Sequence, residues 1–147
     1  MRFICDEMFG SLARWLRIMG HDVLYLRDVD DDAIIDAAHR QDRFILTRDK
    51  DLNRRYPRSL YINENDLEKQ LRAVMDSLNL ESHPENSRCT VCNGKLSKVH
   101  SAEVQDMVPP FTLQNQDEFF LCQECGKVFW KGSHWQQIES FLDAVMK

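Results

Sequence analysis

Two short apolar runs in this chain end in acid. Arg2-Phe3-Ile4-Cys5 leads into Asp6-Glu7, and Arg43-Phe44-Ile45-Leu46 leads through Thr47-Arg48 into Asp49-Lys50-Asp51. Carboxylates gathered from separate stretches of chain repel one another: two at ~4 Å cost about 4 kcal/mol at an effective dielectric near 20. A hard divalent cation such as magnesium relieves that repulsion, because it prefers oxygen ligands. Asp6, Asp49 and Asp51 are therefore candidates for a metal-dependent acidic site. The run Asp28-Val29-Asp30-Asp31-Asp32 does not read as a calcium loop, since Ala33 and His39 stand where glycine and glutamate belong. One of its acids is expected to reach the same edge; Asp31 is the choice, at the entry of a predicted helix.

A second chemistry is written in sulfur. Cys89-x-x-Cys92 and Cys122-x-x-Cys125 are two tight-turn pairs, and each is followed closely by glycine: Cys92-Asn93-Gly94-Lys95 and Cys125-Gly126-Lys127. Two such pairs close a four-sulfur zinc site, which has no open position and so serves folding rather than catalysis. Cys5, inside an apolar run, reads as a small buried hydrophobe.

The elements that must position these groups alternate. Residues 2–5, 23–26, 43–46 and 59–62 are strand-like. Met8 to Met19 follows the first as a helix with a stripe of Met8, Leu12, Trp15, Leu16 and Met19, stopped by Gly20. Ala33 to His39 and Asp49 to Tyr56 follow as further helices. Asn63 or Asn65 is expected to cap a longer one reaching about Leu78, with Leu67, Leu71, Val74 and Leu78 on its apolar face. This alternation predicts an α/β fold with a parallel sheet and right-handed crossovers. In such a sheet the carboxyl ends of the strands form one edge, where ligands bind.

After residue 80 the character changes. Glu81 to Arg88 lacks apolar periodicity and reads as a linker. The expected division is residues 1–80, a linker at 81–88, and a cysteine module at 89–147 ending in an amphipathic helix with Trp135, Ile138, Leu142 and Val145 on one side. The 43% apolar content supports a real core, and the net charge of −5 argues against a protein that coats nucleic acid by charge alone. No apolar stretch is long enough to span a membrane and no signal-peptide pattern is present, so a cytoplasmic location is expected. The charge is uneven, however. Arg43, Arg48, Lys50, Arg54, Arg55 and Arg58 crowd the second acidic run, which would suit a phosphate backbone or form an ordinary solvated face. Arg14 is a further candidate phosphate clamp.

Taken together, Arg2-Phe3-x-Cys5-Asp6-Glu7-Met8, Leu12-Ala13-Arg14-Trp15-Leu16-Arg17, Leu46-Thr47-Arg48-Asp49, Arg88-Cys89-x-x-Cys92-Asn93-Gly94 and Trp130-Lys131-Gly132-Ser133-His134-Trp135 resemble the Mut-seven C-terminal RNase domain family. That resemblance spans nearly the whole chain. It implies a PIN-like nuclease fold, with helices flanking the parallel sheet, joined to a zinc ribbon and a C-terminal helix. It also implies a metal-dependent ribonuclease with RNA as its substrate. Carried across, Asp6 and Asp49 match the family's strand-end acids and Asp31 the acid opening the second helix; these three would hold magnesium or manganese. Glu7, Asp30, Asp51 and Thr47 stand beside them as candidates for catalysis or for support of the ligands, with Asp32 a further rival to Asp31. Arg14, Arg48 and Lys50 are candidates to hold the RNA backbone. Cys89, Cys92, Cys122 and Cys125 would bind zinc. Where a further acid is usual after the fourth strand, this chain has Asn63, Glu64 and Asn65. Tryptophans 130 and 135 would offer a stacking surface or form the ribbon's own small core. The competing class is a non-catalytic RNA- or protein-binding module on the same fold; metal-dependent turnover separates the two.

Overall fold

Four apolar runs become four parallel strands. In a computed structural model describing residues 1–146, β1 (Arg2–Cys5), β2 (Asp22–Tyr25), β3 (Phe44–Thr47) and β4 (Ser59–Tyr61) lie in the order β2-β1-β3-β4. Phe3, Ile4 and Cys5 of β1 and Ile45, Leu46 and Thr47 of β3 are wholly buried. Strands covered on both faces read as continuous apolar runs rather than as alternation. The chain moves from β1 to β2 on one side, then returns past β1 to place β3 on the other. The sheet therefore switches direction between β1 and β3, the position where open α/β sheets form a crevice.

Aspartates start the helices. Asp30 accepts a hydrogen bond from the Ala33 N–H at 2.8 Å and opens α2 (Asp31–Gln41). Asp49 accepts from the N–H groups of Asp51 and Leu52, at 2.8 and 3.2 Å, and opens α3 (Lys50–Arg55). Asp66 accepts from Lys69 N–H and opens α4 (Leu67–Leu78). Asn63 and Asn65, expected as that last cap, precede the true helix start. The first helix differs as well. Asp6 caps a single 3-10 turn, Glu7–Phe9, which passes into α1 (Gly10–Ile18). With three residues per turn instead of 3.6, the register rotates: Phe9 is buried, while Met8, expected in the apolar stripe, is 64% exposed. A core of Ile4, Ile45, Ile34, Ala37, Ala38, Leu52 and Tyr56 fills the space between β1, β3, α2 and α3.

Arg43, read in the sequence as part of a basic cluster suited to a phosphate backbone or to a solvated face, is 6% exposed. It donates to the Phe3 carbonyl (3.1 Å), to Gln41 Oε1 (2.8 Å) and to Asp22 Oδ1 (2.8 Å). Asp22 also accepts from Asn93 Nδ2 at 2.7 Å. Burial alone would raise the Asp22 carboxyl, but the bonds from Arg43 and Asn93 outweigh it and hold the group below its ordinary range. Asp22→Ala should therefore destabilise the protein by about 3 kcal/mol, because it leaves a buried guanidinium without its carboxylate; urea unfolding reads the loss. The sign of the pH dependence follows from the lowered pKa. The contribution of Asp22 is complete above the unfolded-state value and disappears as pH falls through the folded one, so the wild type should lose its advantage over Asp22→Asn below about pH 4.

The chain forms two compact units, Met1–Asn93 and Gly94–Lys147. Residues 81–88, expected as a linker, carry a 3-10 turn at Pro84–Asn86 and are tied to the end of α1. The His83 N–H donates to Met19 O at 2.7 Å, the Arg88 N–H to Arg17 O at 2.8 Å, and Ser87 Oγ to Ile18 O. Gly20 allows this approach: its φ is +96°, and a Cβ there would lie 2.6 Å from the His83 carbonyl oxygen.

In the second unit β5 (Leu96–Val99), β6 (Phe119–Cys122) and β7 (Val128–Phe129) form an antiparallel sheet in that order. Val104, Val108 and Phe119 are its core, with Val99, Leu113, Val128 and Trp130 packed against them. Trp130 meets Phe119 edge-on at 6.3 Å, so of its two expected roles the ribbon core is the one observed. A short helix, α5 (Pro110–Asn115), has Pro110 in its first turn, where the missing N–H costs nothing. The C-terminal α6 (Trp135–Met146) buries Leu142 and Val145, as its periodicity predicts.

Candidate active site at the strand edge

Strand register decides what Asp6 meets. Cys5 of β1 pairs with Leu46 of β3, so the next residues on each strand, Asp6 and Thr47, come side by side. Thr47 is wholly buried. Its hydroxyl donates to Asp6 Oδ2 at 3.2 Å and accepts from the Asp49 N–H at 3.0 Å, which links the two strand-end acids. Asp6 Oδ1 accepts from the Met8 N–H at 3.1 Å. Burial pushes the Asp6 carboxyl up, and the hydrogen bonds from Met8, Thr47 and the Arg48 backbone offset this only in part.

Asp31, the first residue of α2, faces Asp49. Burial, a hydrogen bond with Asp49 and repulsion from it together raise the Asp31 carboxyl. Asp49 moves the other way, held down chiefly by the Leu52 N–H, with Asp51 N–H and Asp31 adding to the effect. The two carboxylates repel each other, which disfavours having both charges at this edge without a counter-charge. A cation is a partner that can sit between such oxygens.

Asp6, Asp31 and Asp49 line one cavity of ≈ 610 Å³ with Glu7, Asp28, Arg48, Lys50 and Tyr61, and with apolar walls from Met8, Leu26, Val29 and Ile34. Not every expected residue reaches it. The Asp30 carboxylate is spent on its helix cap, and Asp51 pairs with Arg54 at 2.7 Å away from the cavity lining. Arg55 pairs with Asp32 and Arg58 with Asp42, so the basic cluster contracts to Arg48 and Lys50 at the site. Arg14 lies on a different cavity. Sequence reasoning missed Asp28 and Tyr61. Asp28 adopts a left-handed φ of 56° just beyond β2, and its signal was its place at a strand end on the same edge as Asp6. Tyr61 closes β4, and the Lys50 ammonium sits 5.6 Å from its ring centroid, within range of a cation–π contact.

The donors in this cavity are oxygens, which fits a hard ion of the magnesium or manganese type. Among the described residues, the four cysteines are the set whose ligand atoms all lie within 4.8 Å of one another; the three aspartates line their cavity without meeting that spacing. Four sulfurs at ~2.3 Å from a central zinc would stand about 3.8 Å apart, so Cys89, Cys92, Cys122 and Cys125 could hold the ion. The turn chemistry agrees. Asn93 and Gly126, each just past a second cysteine, have φ of 71° and 79°. Cys122 Sγ accepts from the N–H groups of Glu124 and Cys125 at 3.4 and 3.5 Å. Gly94 gives that sulfur room, since a Cβ there would lie 2.7 Å from it.

The family profile described as the Mut7-C RNAse domain matches residues 1–142. No curated protein and no solved structure matches the chain. No helix among the described residues is long and apolar enough to cross a membrane.

Proposed function

We propose that this chain, which belongs to the Mut7-C RNAse domain family, hydrolyses RNA phosphodiester bonds at the cavity of Asp6, Asp31 and Asp49. One observation supports this reading above the others: three aspartates from three elements meet a single cavity at the sheet's switch point, with two cations on its wall. Magnesium or manganese, held by these carboxylates, would supply Lewis acidity toward the phosphate and an activated water. The remaining work falls to side chains. Arg48 and Lys50 are placed to hold the non-bridging phosphate oxygens, and neither forms an ion pair among the described residues that would have to break first. Thr47 fixes the orientation of Asp6 and the backbone of Asp49. Zinc on the four cysteines would be structural, and thiolates in that role suit a reducing compartment such as the cytoplasm.

The direct test titrates magnesium and manganese against cleavage of single-stranded and structured RNA. Turnover should rise with the metal and vanish with chelator; cleavage indifferent to the metal would sink the proposal. Thr47→Val provides a finer check. It removes the hydroxyl that holds Asp6 and pairs with a backbone N–H, so stability should fall by about 1–2 kcal/mol. The half-saturating metal concentration should rise about 10- to 100-fold, as it does when the support of a ligand is lost.

A further inference from the structure

Beside the acidic cavity lies a second one of ≈ 560 Å³, and the two share Glu7 and Met8 as a common wall. Their charges are opposed. The first holds five carboxylates against Arg48 and Lys50; the second holds Arg14 and Arg17, with the shared Glu7 as its one carboxylate. Arg17 is already committed, donating to Val23 O at 2.9 and 3.1 Å and to Thr90 O at 2.9 Å. Arg14 is exposed, touches Ser11 Oγ at 3.3 Å and forms no ion pair among the described residues. Asn65 and Gln70 add amides to the lining.

The shared wall is held firmly. Asp6 caps its 3-10 turn, and Tyr25 Oη donates to the Glu7 carbonyl at 2.8 Å. Gly10 makes room for that ring, because a Cβ there would stand 3.1 Å from the Tyr25 hydroxyl. On this ridge Met8 stands 64% exposed, a flexible apolar side chain with one charged cavity on either side. A nucleic acid strand alternates flat apolar bases with anionic phosphates at regular intervals. With one phosphate at the acidic cavity, such a strand can lay a base on Met8 and bring a neighbouring phosphate to Arg14. That path bends over a ridge, which a single strand can follow and a stiff duplex resists.

We propose that the α1 cavity is a flanking-nucleotide subsite, in which Arg14 holds the neighbouring phosphate of a single-stranded RNA whose scissile phosphate lies at the acidic cavity. This deepens the ribonuclease reading and rests on it. Arg14 acts by binding, not by touching the reacting atoms.

The test needs no turnover. Fluorescence anisotropy in calcium, a hard ion that takes carboxylate oxygens, measures the binding of labelled oligouridine, eight or two nucleotides long, to wild type, Arg14→Gln and Arg14→Lys across a salt series. For the octamer, Arg14→Gln should weaken binding about fivefold at low salt and reduce the salt slope by about 0.7, the loss of one single-strand phosphate contact. Arg14→Lys should keep the slope, because it keeps the charge. The dinucleotide, too short to span both cavities, should bind all three proteins alike. An unchanged slope in Arg14→Gln, an equal loss for the dinucleotide, or no octamer binding by wild type would each overturn the subsite. Cleavage assays with magnesium separate the two levels. Wild-type turnover with an unaltered KM in Arg14→Gln removes the subsite alone, whereas Arg14-dependent binding without metal-dependent turnover removes the nuclease reading and leaves Arg14 as an RNA contact with no scissile phosphate beside it.

Discussion

Asp49→Asn is expected to lower metal-dependent RNA cleavage by more than about 100-fold while shifting the unfolding free energy by under about 1 kcal/mol. Asp49 does two separable jobs. Its Oδ1 caps α3 by accepting from the Asp51 and Leu52 N–H groups, and its charge belongs to the carboxylate pair with Asp31. Asparagine caps a helix about as well as aspartate, so the fold should tolerate the change. Its neutral amide removes the negative charge that would bind a hard cation. Asp49→Ala loses both functions, and its unfolding free energy should fall by about 1 kcal/mol further. Asp6→Asn should share the catalytic defect, since Asp6 lies across the switch point on the neighbouring strand. Circular dichroism and urea unfolding establish that each variant is folded, and the metal titration then reads the chemistry. If both asparagine variants cleave like wild type, the carboxylate cavity is not where the reaction occurs.

The sequence made some of this site legible because its signals are local. Apolar runs bounded by charge marked the strands, and an acid directly after each of two runs marked the edge. What remained hidden depended on partners far away in the chain. Arg43 reads as one more basic residue in a basic stretch, yet strand pairing places it beside Asp22 and the Phe3 carbonyl, and it is buried. Arg55 and Arg58 lie near the acidic edge in sequence, but α2 supplies Asp32 to one and the loop after α2 supplies Asp42 to the other. The choice among Asp30, Asp31 and Asp32 follows from capping. The cap residue turns its oxygen back to the helix N–H groups, so Asp30 is committed and the next residue carries its carboxylate outward to Asp49. Met8 shows the opposite failure. A helical stripe placed it in the core, and one 3-10 turn exchanged it with Phe9. No periodicity argument at 3.6 residues per turn detects that change.

Reduced, purified protein should carry about one zinc per chain, and removing the ion should unfold the ribbon. The four sulfurs lie within 4.8 Å of one another, and thiolates packed so closely repel unless a cation holds them. Structural zinc contributes about 10–16 kcal/mol in small zinc-finger peptides, as much as or more than the 5–15 kcal/mol that typically stabilises a whole domain. The ribbon's own core is small: Val104, Val108 and Phe119, with a few half-buried neighbours. Its stability should therefore depend on the metal. Strong chelator, or Cys122→Ser, should abolish the near-ultraviolet signal of Trp130, which packs edge-on against Phe119. Cys5→Ala supplies the control. Cys5 is wholly buried in β1, and its thiol is pushed far up by that burial, so it stays protonated and is no ligand. That variant should keep its full zinc content, whereas Cys122→Ser should lose it. Metal analysis that finds no zinc in reduced protein with an intact Trp130 signal would show that the ribbon stands without the ion.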